Sequence, residues 1–248
     1  MGTLGLLCLT VRPDAGARRG PSVCMNRLPH RTLWAWERPE DLTGIDPSTT
    51  AVAWLDQTIQ LGRDATSQPR RQPLSYPTGM AKIAVVRIEA LAGFSAEGNR
   101  NAELERQAVQ LLLDSARRPA IAALQIDFDA TRSQRGFYSD LISDLRRQMP
   151  KDLPLSITAL ASWCSYDDWI GNLPVDEAVP MFFRMEPDRR LAPADLPQFQ
   201  IREPLCLGSV GISTREAWPD GLIGKRIYVF ADRGWQRDLA LLDKREKP

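Results

Sequence analysis

The sequence predicts an α/β protein that folds as an irregular (β/α)8 barrel of the TIM type, with weak or missing early helices. Three observations predict this fold. Short apolar runs recur eight times from residue 32 onward, with turn residues between them. Two amphipathic helices separate strands near the middle of the chain. The length of 248 residues is close to the roughly 250 residues of a typical barrel.

The eight candidate strands are apolar over most of their length, which is typical of parallel strands covered by helices. A strand, helix, strand order also requires parallel pairing, because a parallel connection needs a long crossover. The predicted strands are 32–37, 51–56, 82–90, 122–130, 153–163, 178–186, 204–213 and 225–232.

The predicted helices differ in strength along the chain. Segments 103–118 and 135–149 each carry one apolar stripe with helical spacing. Residues 38–50 hold at most one helical turn, and residues 57–80, which contain three prolines, predict a long loop or a small hairpin. The last helix, 237–247, is short. We therefore expect a barrel with an incomplete helical coat.

The chain divides into two parts. Residues 1–30 predict a disordered or irregular lead-in, and residues 31–248 predict a single barrel domain. No apolar run approaches the roughly 20 residues of a transmembrane helix, so a soluble protein is expected. GTLGLLCLTV at the start is too short for an ordinary export signal. The sequence does not distinguish a cytoplasmic protein from one exported with an atypical N-terminus. It also does not indicate the oligomeric state.

The composition excludes several classes of protein. The 32 basic and 31 acidic residues nearly cancel, so the chain has no net field to attract nucleic acid. Cys8, Cys24, Cys164 and Cys206 form no CxxC pair, and neither a zinc site nor a disulfide framework is expected. The single histidine, His30, excludes a Ser-His-Asp triad and a multi-histidine metal site. We predict no cofactor and no metal.

The segment LQIDFDA carries two acids inside a predicted buried strand. Successive side chains of a strand point to opposite faces, so Leu124 and Ile126 share one face while Asp127 and Asp129 share the other. The apolar face must contact the helices outside the barrel. Asp127 and Asp129 are therefore predicted to point into the barrel.

The same alternation places further polar residues inside, near the carboxyl ends of their strands, where barrel active sites lie. A buried carboxylate without a partner costs several kcal/mol, so these acids must be paired or functional. In the paired interpretation, Arg87 neutralises Asp127, and Arg184 neutralises Glu186 or Asp232. The predicted inward residues are Arg87, Glu89, Arg184, Glu186, Tyr228, Phe230 and Asp232.

The functional interpretation is glycosidic bond chemistry, which needs one carboxylic acid to protonate the leaving oxygen and a second carboxylate beside the reacting carbon. Asp129 would stabilise the reacting centre, Asp127 would orient it, and Glu89 and Glu186 are the candidate proton donors. Tryptophans near the mouth could stack on sugar rings. The candidate substrate-binding residues are Trp36, Arg87, Trp163, Arg184, Tyr228 and Asp232.

The stretch LQIDFDATRSQRGFYSDLISDLRRQMP, followed by LPLSITALASW, resembles the fourth strand, helix and fifth strand of chitinase-like glycoside hydrolases. Their motif is Asp-x-x-Asp-x-Asp-x-Glu. Asp127 and Asp129 match its second and third acids, whereas Leu124 and Thr131 occupy the positions of the first acid and the catalytic Glu. Residues 31–240 also resemble an uncharacterised bacterial family, a domain of unknown function whose members look like glycoside-hydrolase-type barrels. The resemblance implies a carbohydrate ligand.

Several alternatives remain open. One is a non-catalytic carbohydrate-binding or scaffold barrel, which a mouth plugged by residues 57–80 would favour. A donor carboxyl about 5 to 10 Å from Asp129 across an open cleft would favour an enzyme. Another is a metal-dependent hydrolase with Asp127, Asp129 and Glu89 as oxygen ligands. The glycines of LGSVGIS, residues 207–213, either bind phosphate or relieve crowding inside the barrel.

Overall fold

The computed structural model describes residues 25–94, 100–167, 169–183, 201–218, 222 and 224–245. Eight parallel strands within these residues form a closed barrel, which confirms the predicted fold class. In spatial order they are β1 (Arg31–Ala35), β3 (Thr50–Leu61), β6 (Lys82–Ala90), β7 (Ala123–Asp127), β8 (Leu155–Leu160), β9 (Glu177–Met181), β10 (Ser209–Ser213) and β11 (Arg226–Phe230).

Strand β1 closes the barrel, because it pairs in parallel with both β3 and β11. The eight barrel strands correspond one to one with the eight apolar runs of the sequence. Their bounds differ in places. β3 continues to Leu61, and β9 ends at Met181. Arg184 and Glu186, which were predicted to lie in this strand, fall outside the described residues.

The helical coat is incomplete, as the sequence predicts. α1 (Arg100–Ala116) and α2 (Arg135–Gln148) lie on either side of β7 in the chain, followed by the short α3 (Ala161–Ser165) and, after β11, α4 (Trp235–Arg245). Residues 36–81 are all described and contain no α-helix. Instead, β4 (Ala65–Pro69) extends the sheet antiparallel to β3, and β2 (Glu40–Asp41) pairs with β5 (Leu74–Ser75). The predicted small hairpin is therefore confirmed.

The outer face of the barrel packs against α1 and α2. Leu124 and Ile126 of β7 are fully buried in this outer core, and Phe128 is 3% exposed. Leu112 of α1 and Leu141 of α2 belong to the same cluster. The apolar face of the LQIDFDA segment therefore points outward, and Asp127 points inward as predicted.

A disulfide joins Cys164 of α3 to Cys206. The sequence predicts no disulfide framework, and it does not predict this single bridge. Cys206 was predicted within a strand, but it ends the short 3-10 helix Pro204–Cys206, whose chain returns to α3. Backbone bonds from Arg202 and Glu203 to the Cys164 carbonyl hold the two segments together. The two cysteines are 42 positions apart in the sequence, which conceals this proximity.

The base of the barrel interior is closed by residues from the predicted lead-in. Met25, in the 3-10 helix Met25–Arg27, is fully buried inside the barrel, and its carbonyl accepts a hydrogen bond from Arg226. The remainder of the lead-in, residues 1–24, lies outside the described residues. Among the described helices, none has the length and apolar character of a membrane span.

Candidate active site at the mouth of the barrel

A cavity of about 340 Å³ opens at the carboxyl ends of the barrel strands. This is the end at which barrel enzymes carry their active sites. One wall, called the acidic wall, carries Arg87, Asp127 and Asp129. Another side, called the aromatic wall, carries Trp36 and Phe230. The remaining lining residues in the described parts of the chain are Trp34, Arg38, Leu160, Met181, Phe183, Ser213, Ala231 and Asp232.

The two acids of the LQIDFDA segment lie at different depths. Asp127 is the last residue of β7, and its side chain is 15% exposed. The Thr158 hydroxyl donates a hydrogen bond to Asp127 Oδ1 at 2.8 Å, and Arg87 donates one to Oδ2 at 3.3 Å. Asp129, two residues later, is exposed at the rim. The pair therefore presents one sheltered acid and one accessible acid to the same cavity.

Burial raises the pKa of Asp127 to about 6, and the negative charge of the neighbouring Asp129 contributes to this increase. Arg87 and the Thr158 hydroxyl oppose the increase but do not cancel it. The Asp127 carboxyl is thus protonated in a substantial fraction of molecules near pH 6. A carboxylic acid that retains its proton near neutral pH can act as a general acid.

Arg87 organises the acidic wall. Its guanidinium pairs with Glu89 at 2.9 Å as well as with Asp127 at 3.3 Å. The same group lies 5.3 Å from the centre of the Trp36 ring, within the range of a cation–π interaction. Arg87 therefore joins the acidic wall to the aromatic wall, and it shares its charge between two carboxylates.

The aromatic wall is a set of rings from three segments of the chain. Trp34 stacks on Phe230 with a centroid distance of 4.4 Å, and the Phe183 ring centre also lies 4.4 Å from that of Phe230. Trp36 lies 6.1 Å from Trp34. These contacts fix the orientation of the rings, so the wall is preformed.

Asp232 lies at the opposite side of the mouth from Asp127 and Asp129, because β11 is four strands from β7 in either direction around the barrel. It pairs with Arg215 at 3.2 Å. The buried Asp238 of α4 accepts hydrogen bonds from the Asp232 backbone at 2.8 Å and from the Thr214 hydroxyl at 2.7 Å. The loop that carries Asp232 is thereby held in place.

Part of the chain matches a known family. Residues 78–182 match DUF3142, a domain of unknown function. The match confirms the predicted resemblance to an uncharacterised family for this part of the chain. The DUF3142 segment supplies β6 to β9 and with them the whole acidic wall. Trp34, Trp36 and Phe230 of the aromatic wall lie outside it.

Three solved structures are similar to the chain. The spore cortex-lytic enzyme SleL of Bacillus cereus has a TM-score of 0.45 at 14% identity, with 74% of this chain and 51% of that chain covered. The chitinase domain of the spore coat protein CotE of Clostridium difficile has 0.38 at 16% identity, with 60% and 48% covered. A putative vitamin-B12 independent methionine synthase of Listeria monocytogenes has 0.40 at 10% identity, with 67% and 61% covered. The chain therefore spans about half the length of the first two. No curated protein sequence matches the chain.

Five of the sequence-predicted site residues line the cavity. Glu89 lies just outside it, with its side chain 39% exposed and paired to Arg87. Glu186 and Arg184 lie outside the described residues. The five that line the cavity are Trp36, Arg87, Asp127, Asp129 and Asp232.

Two predicted substrate-binding residues lie away from the cavity. Trp163 is 2% exposed and packs edge-on against Trp169 in the outer core. It belongs to α3, so the alternation of the preceding strand does not extend to it. Tyr228 is fully buried deeper in the barrel, where its hydroxyl donates a hydrogen bond to Glu177. These two side chains therefore do not line the cavity, whereas Phe230, two residues nearer the mouth than Tyr228, does.

The alternation in β9 is the reverse of the prediction for this segment. Met181 and Phe183 line the cavity, although the even-numbered residues were predicted to point inward. Gly211 of β10 faces Met181, and a Cβ at this position would collide with the Met181 sulfur. This glycine of LGSVGIS therefore relieves crowding inside the barrel.

Two structural tests of the alternatives favour an open site. Residues 57–80, all of them described, contribute nothing to the lining of the cavity. Within the described parts of the chain, Asp127, Asp129 and Glu89 do not form a cluster that could hold a metal ion. Residues 57–80 therefore do not plug the mouth in the way that the scaffold alternative expects. The described residues also lack the three-acid ligand set that the metal alternative needs.

Proposed function

We propose that the protein binds a carbohydrate at the mouth of its barrel and hydrolyses a glycosidic bond there. The observation that carries this proposal is the pair of walls around one open cavity. Asp127 and Asp129 line one side, and the rings of Trp36, Phe230 and Phe183 line another. Glycosidic bond cleavage needs carboxyl groups in two protonation states beside the sugar.

The two acids differ in the way that the reaction requires. Sheltered Asp127 is suited to donate its proton to the glycosidic oxygen as the carbon–oxygen bond breaks. Exposed Asp129 is suited to stabilise the positive charge on the sugar carbon and to accept a proton from the attacking water. Glu89, which the sequence suggested as a donor, is paired with Arg87. We therefore assign the donor role to Asp127, with Glu186 as the rival donor among residues not described.

The aromatic wall supports sugar binding by stacking. Ring faces of Trp and Phe contact the apolar faces of pyranose rings without polar cost. Trp36 and Phe230 line the cavity, and Trp34 contacts both rings. The rings do not need to move to receive a ligand, which lowers the entropic cost of binding.

A second function, carbohydrate binding without hydrolysis, is favoured by two observations. The Arg87–Asp127 ion pair is the paired arrangement expected of a structural acid. Thr131 also stands where the resembled hydrolases carry their catalytic Glu. In this function the protein binds the same ligands but releases no product.

The experiment is a glycan panel assayed for binding and for product release. Wild-type protein is expected to bind at least one glycan and to release product from it. Asp129→Asn and Asp127→Asn should each abolish product release with melting temperatures no lower than that of the wild type. Asp114→Asn, an isosteric change on the exposed surface of α1, is the matched control. It should change neither product release nor the melting temperature.

Normal product release by both cavity variants would remove these acids from the mechanism. Binding without release by the wild type would select the non-catalytic function. Absence of binding to every glycan would overturn the proposal.

A further inference from the structure

The charges of the cavity do not balance. Among the described residues, the charged side chains in its lining are those of two arginines and three aspartates. Arg38 is committed to the buried Glu40 at 2.8 Å, and Arg87 is shared between Glu89 and Asp127. Asp232 is paired with Arg215. These pairs account for four of the five lining charges.

Asp129 is the remaining charge. It lines the cavity at its exposed rim and makes no hydrogen bond or ion pair anywhere in the part of the chain that the structure describes. Its negative charge is strong enough at Asp127 to raise the pKa of that acid. A bound ligand would therefore meet a carboxylate that no described residue neutralises, beside an acid that is partly neutral.

The aromatic wall is also compatible with a positive charge. The faces of Trp and Phe rings carry negative electrostatic potential, and cations bind to them at distances within about 6 Å of the ring centre. One cation already occupies such a position, since the Arg87 guanidinium lies 5.3 Å from the centre of the Trp36 ring. Phe230 and Phe183 also line the cavity and add aromatic surface to this wall.

We propose that the ligand carries a protonated amino group that pairs with Asp129, as in an oligosaccharide of unacetylated amino sugars. This inference rests on the proposed carbohydrate function and specifies its substrate class. The ammonium supplies the counter-charge that the described residues do not supply to Asp129. The pyranose rings of the same ligand stack on Trp36 and Phe230. A neutral sugar would use the rings but supply no counter-charge to Asp129.

The test compares three tetrasaccharides of one linkage, built from glucosamine, N-acetylglucosamine and glucose. Binding is measured by titration calorimetry in the Asp127→Asn background, so that no turnover interferes. At pH 6 the glucosamine tetramer should bind about tenfold or more tightly than the glucose tetramer, the range expected of one charge-assisted hydrogen bond. The preference should vanish near pH 9, above the roughly 8 at which amino groups of this kind lose their proton.

Adding Asp129→Asn should remove the preference for glucosamine while leaving the glucose tetramer's affinity within about twofold. Adding Asp114→Asn instead, at the surface of α1, should leave the preference intact. Equal binding of the three tetramers, a preference for the acetylated one, or a preference that survives at pH 9 would overturn the amino-sugar inference but not carbohydrate binding. If none of the three tetramers binds and no glycan of the panel binds, both the amino-sugar inference and the proposed carbohydrate function are overturned.

Discussion

The base and the mouth of the barrel each contain an acid that points inward, yet the two acids have different surroundings. Glu177 at the base is fully buried and forms an ion pair with Arg226. It also accepts hydrogen bonds from Tyr228 at 2.9 Å and from Ser156 at 3.2 Å. Asp127 at the mouth is 15% exposed, and its ion-pair partner Arg87 also pairs with a second acid, Glu89.

The difference separates an acid whose charge is fully compensated from one whose charge is partly compensated. A buried ion is tolerated when an opposite charge and hydrogen bonds replace its water, and Glu177 has both. Asp127 has less compensation, and its raised pKa is the consequence. An acid inside a barrel is therefore no evidence of function by itself. Evidence of function comes from the extent to which its charge is compensated and from its access to a cavity.

The largest effect is expected at the base. Glu177→Gln leaves the buried Arg226 without its counter-charge, and breaking one partner of a buried ion pair costs about 3 to 5 kcal/mol. The free energy of unfolding, measured by urea denaturation at pH 7, should fall by this amount. A loss below about 1 kcal/mol would mean that Glu177 is not the compensated acid described above.

The equivalent substitution at the mouth, Asp127→Asn, should raise the free energy of unfolding instead of lowering it. Because the pKa of Asp127 rises from 3.8 in the unfolded chain to about 6 in the fold, the folded protein binds more protons between these values. Stability therefore falls as the pH rises through that window. A tenfold difference in proton affinity between the two states corresponds to about 1.4 kcal/mol, so Asp127→Asn should raise the unfolding free energy by about 2 to 3 kcal/mol at pH 8.

The same variant should gain little at pH 4, where the wild-type carboxyl is protonated in the fold. Urea denaturation at both pH values measures the difference. If Asp127→Asn instead lowered the unfolding free energy at pH 8, Asp127 would be an acid whose charge is fully compensated by its partners, as the charge of Glu177 is.

The smallest effect is expected at Glu89. Its side chain and that of Arg87 are 39% and 34% exposed, and exposed ion pairs contribute about 0 to 1 kcal/mol. Glu89→Gln should therefore change the unfolding free energy by less than about 0.5 kcal/mol and preserve product release. Loss of product release, with stability unchanged, would return the donor role to Glu89.

Much of the fold follows from local sequence pattern. The eight apolar runs define the eight barrel strands, and alternation within LQIDFDA orients Asp127 inward. Alternation alone does not give height along the barrel. Tyr228 and Phe230 share one face, but a separation of two residues, about 6.5 Å, puts the first in the base and the second in the cavity.

Other features depend on tertiary structure. In β9 the predicted inward face rests on Arg184 and Glu186, which lie after the end of the strand. Glu177 shares the inward face with Met181 and is the residue that would have indicated this orientation. Glu177 precedes the predicted strand by one residue, which concealed the ion pair at the base. The Cys164–Cys206 disulfide depends on the return of a distant segment to α3, which no local spacing reports.

The measurement that tests the central claim most directly is a titration of the Asp127 carboxyl by carbon-13 NMR, with Asp127→Asn used to assign the signal. The midpoint should lie at a pH of about 6 in the wild type, and it should be lower in Asp129→Asn because the neighbouring charge is removed. A wild-type midpoint at the ordinary value of an aspartate, unchanged in Asp129→Asn, would show that the mouth acid is as fully compensated as the acid at the base.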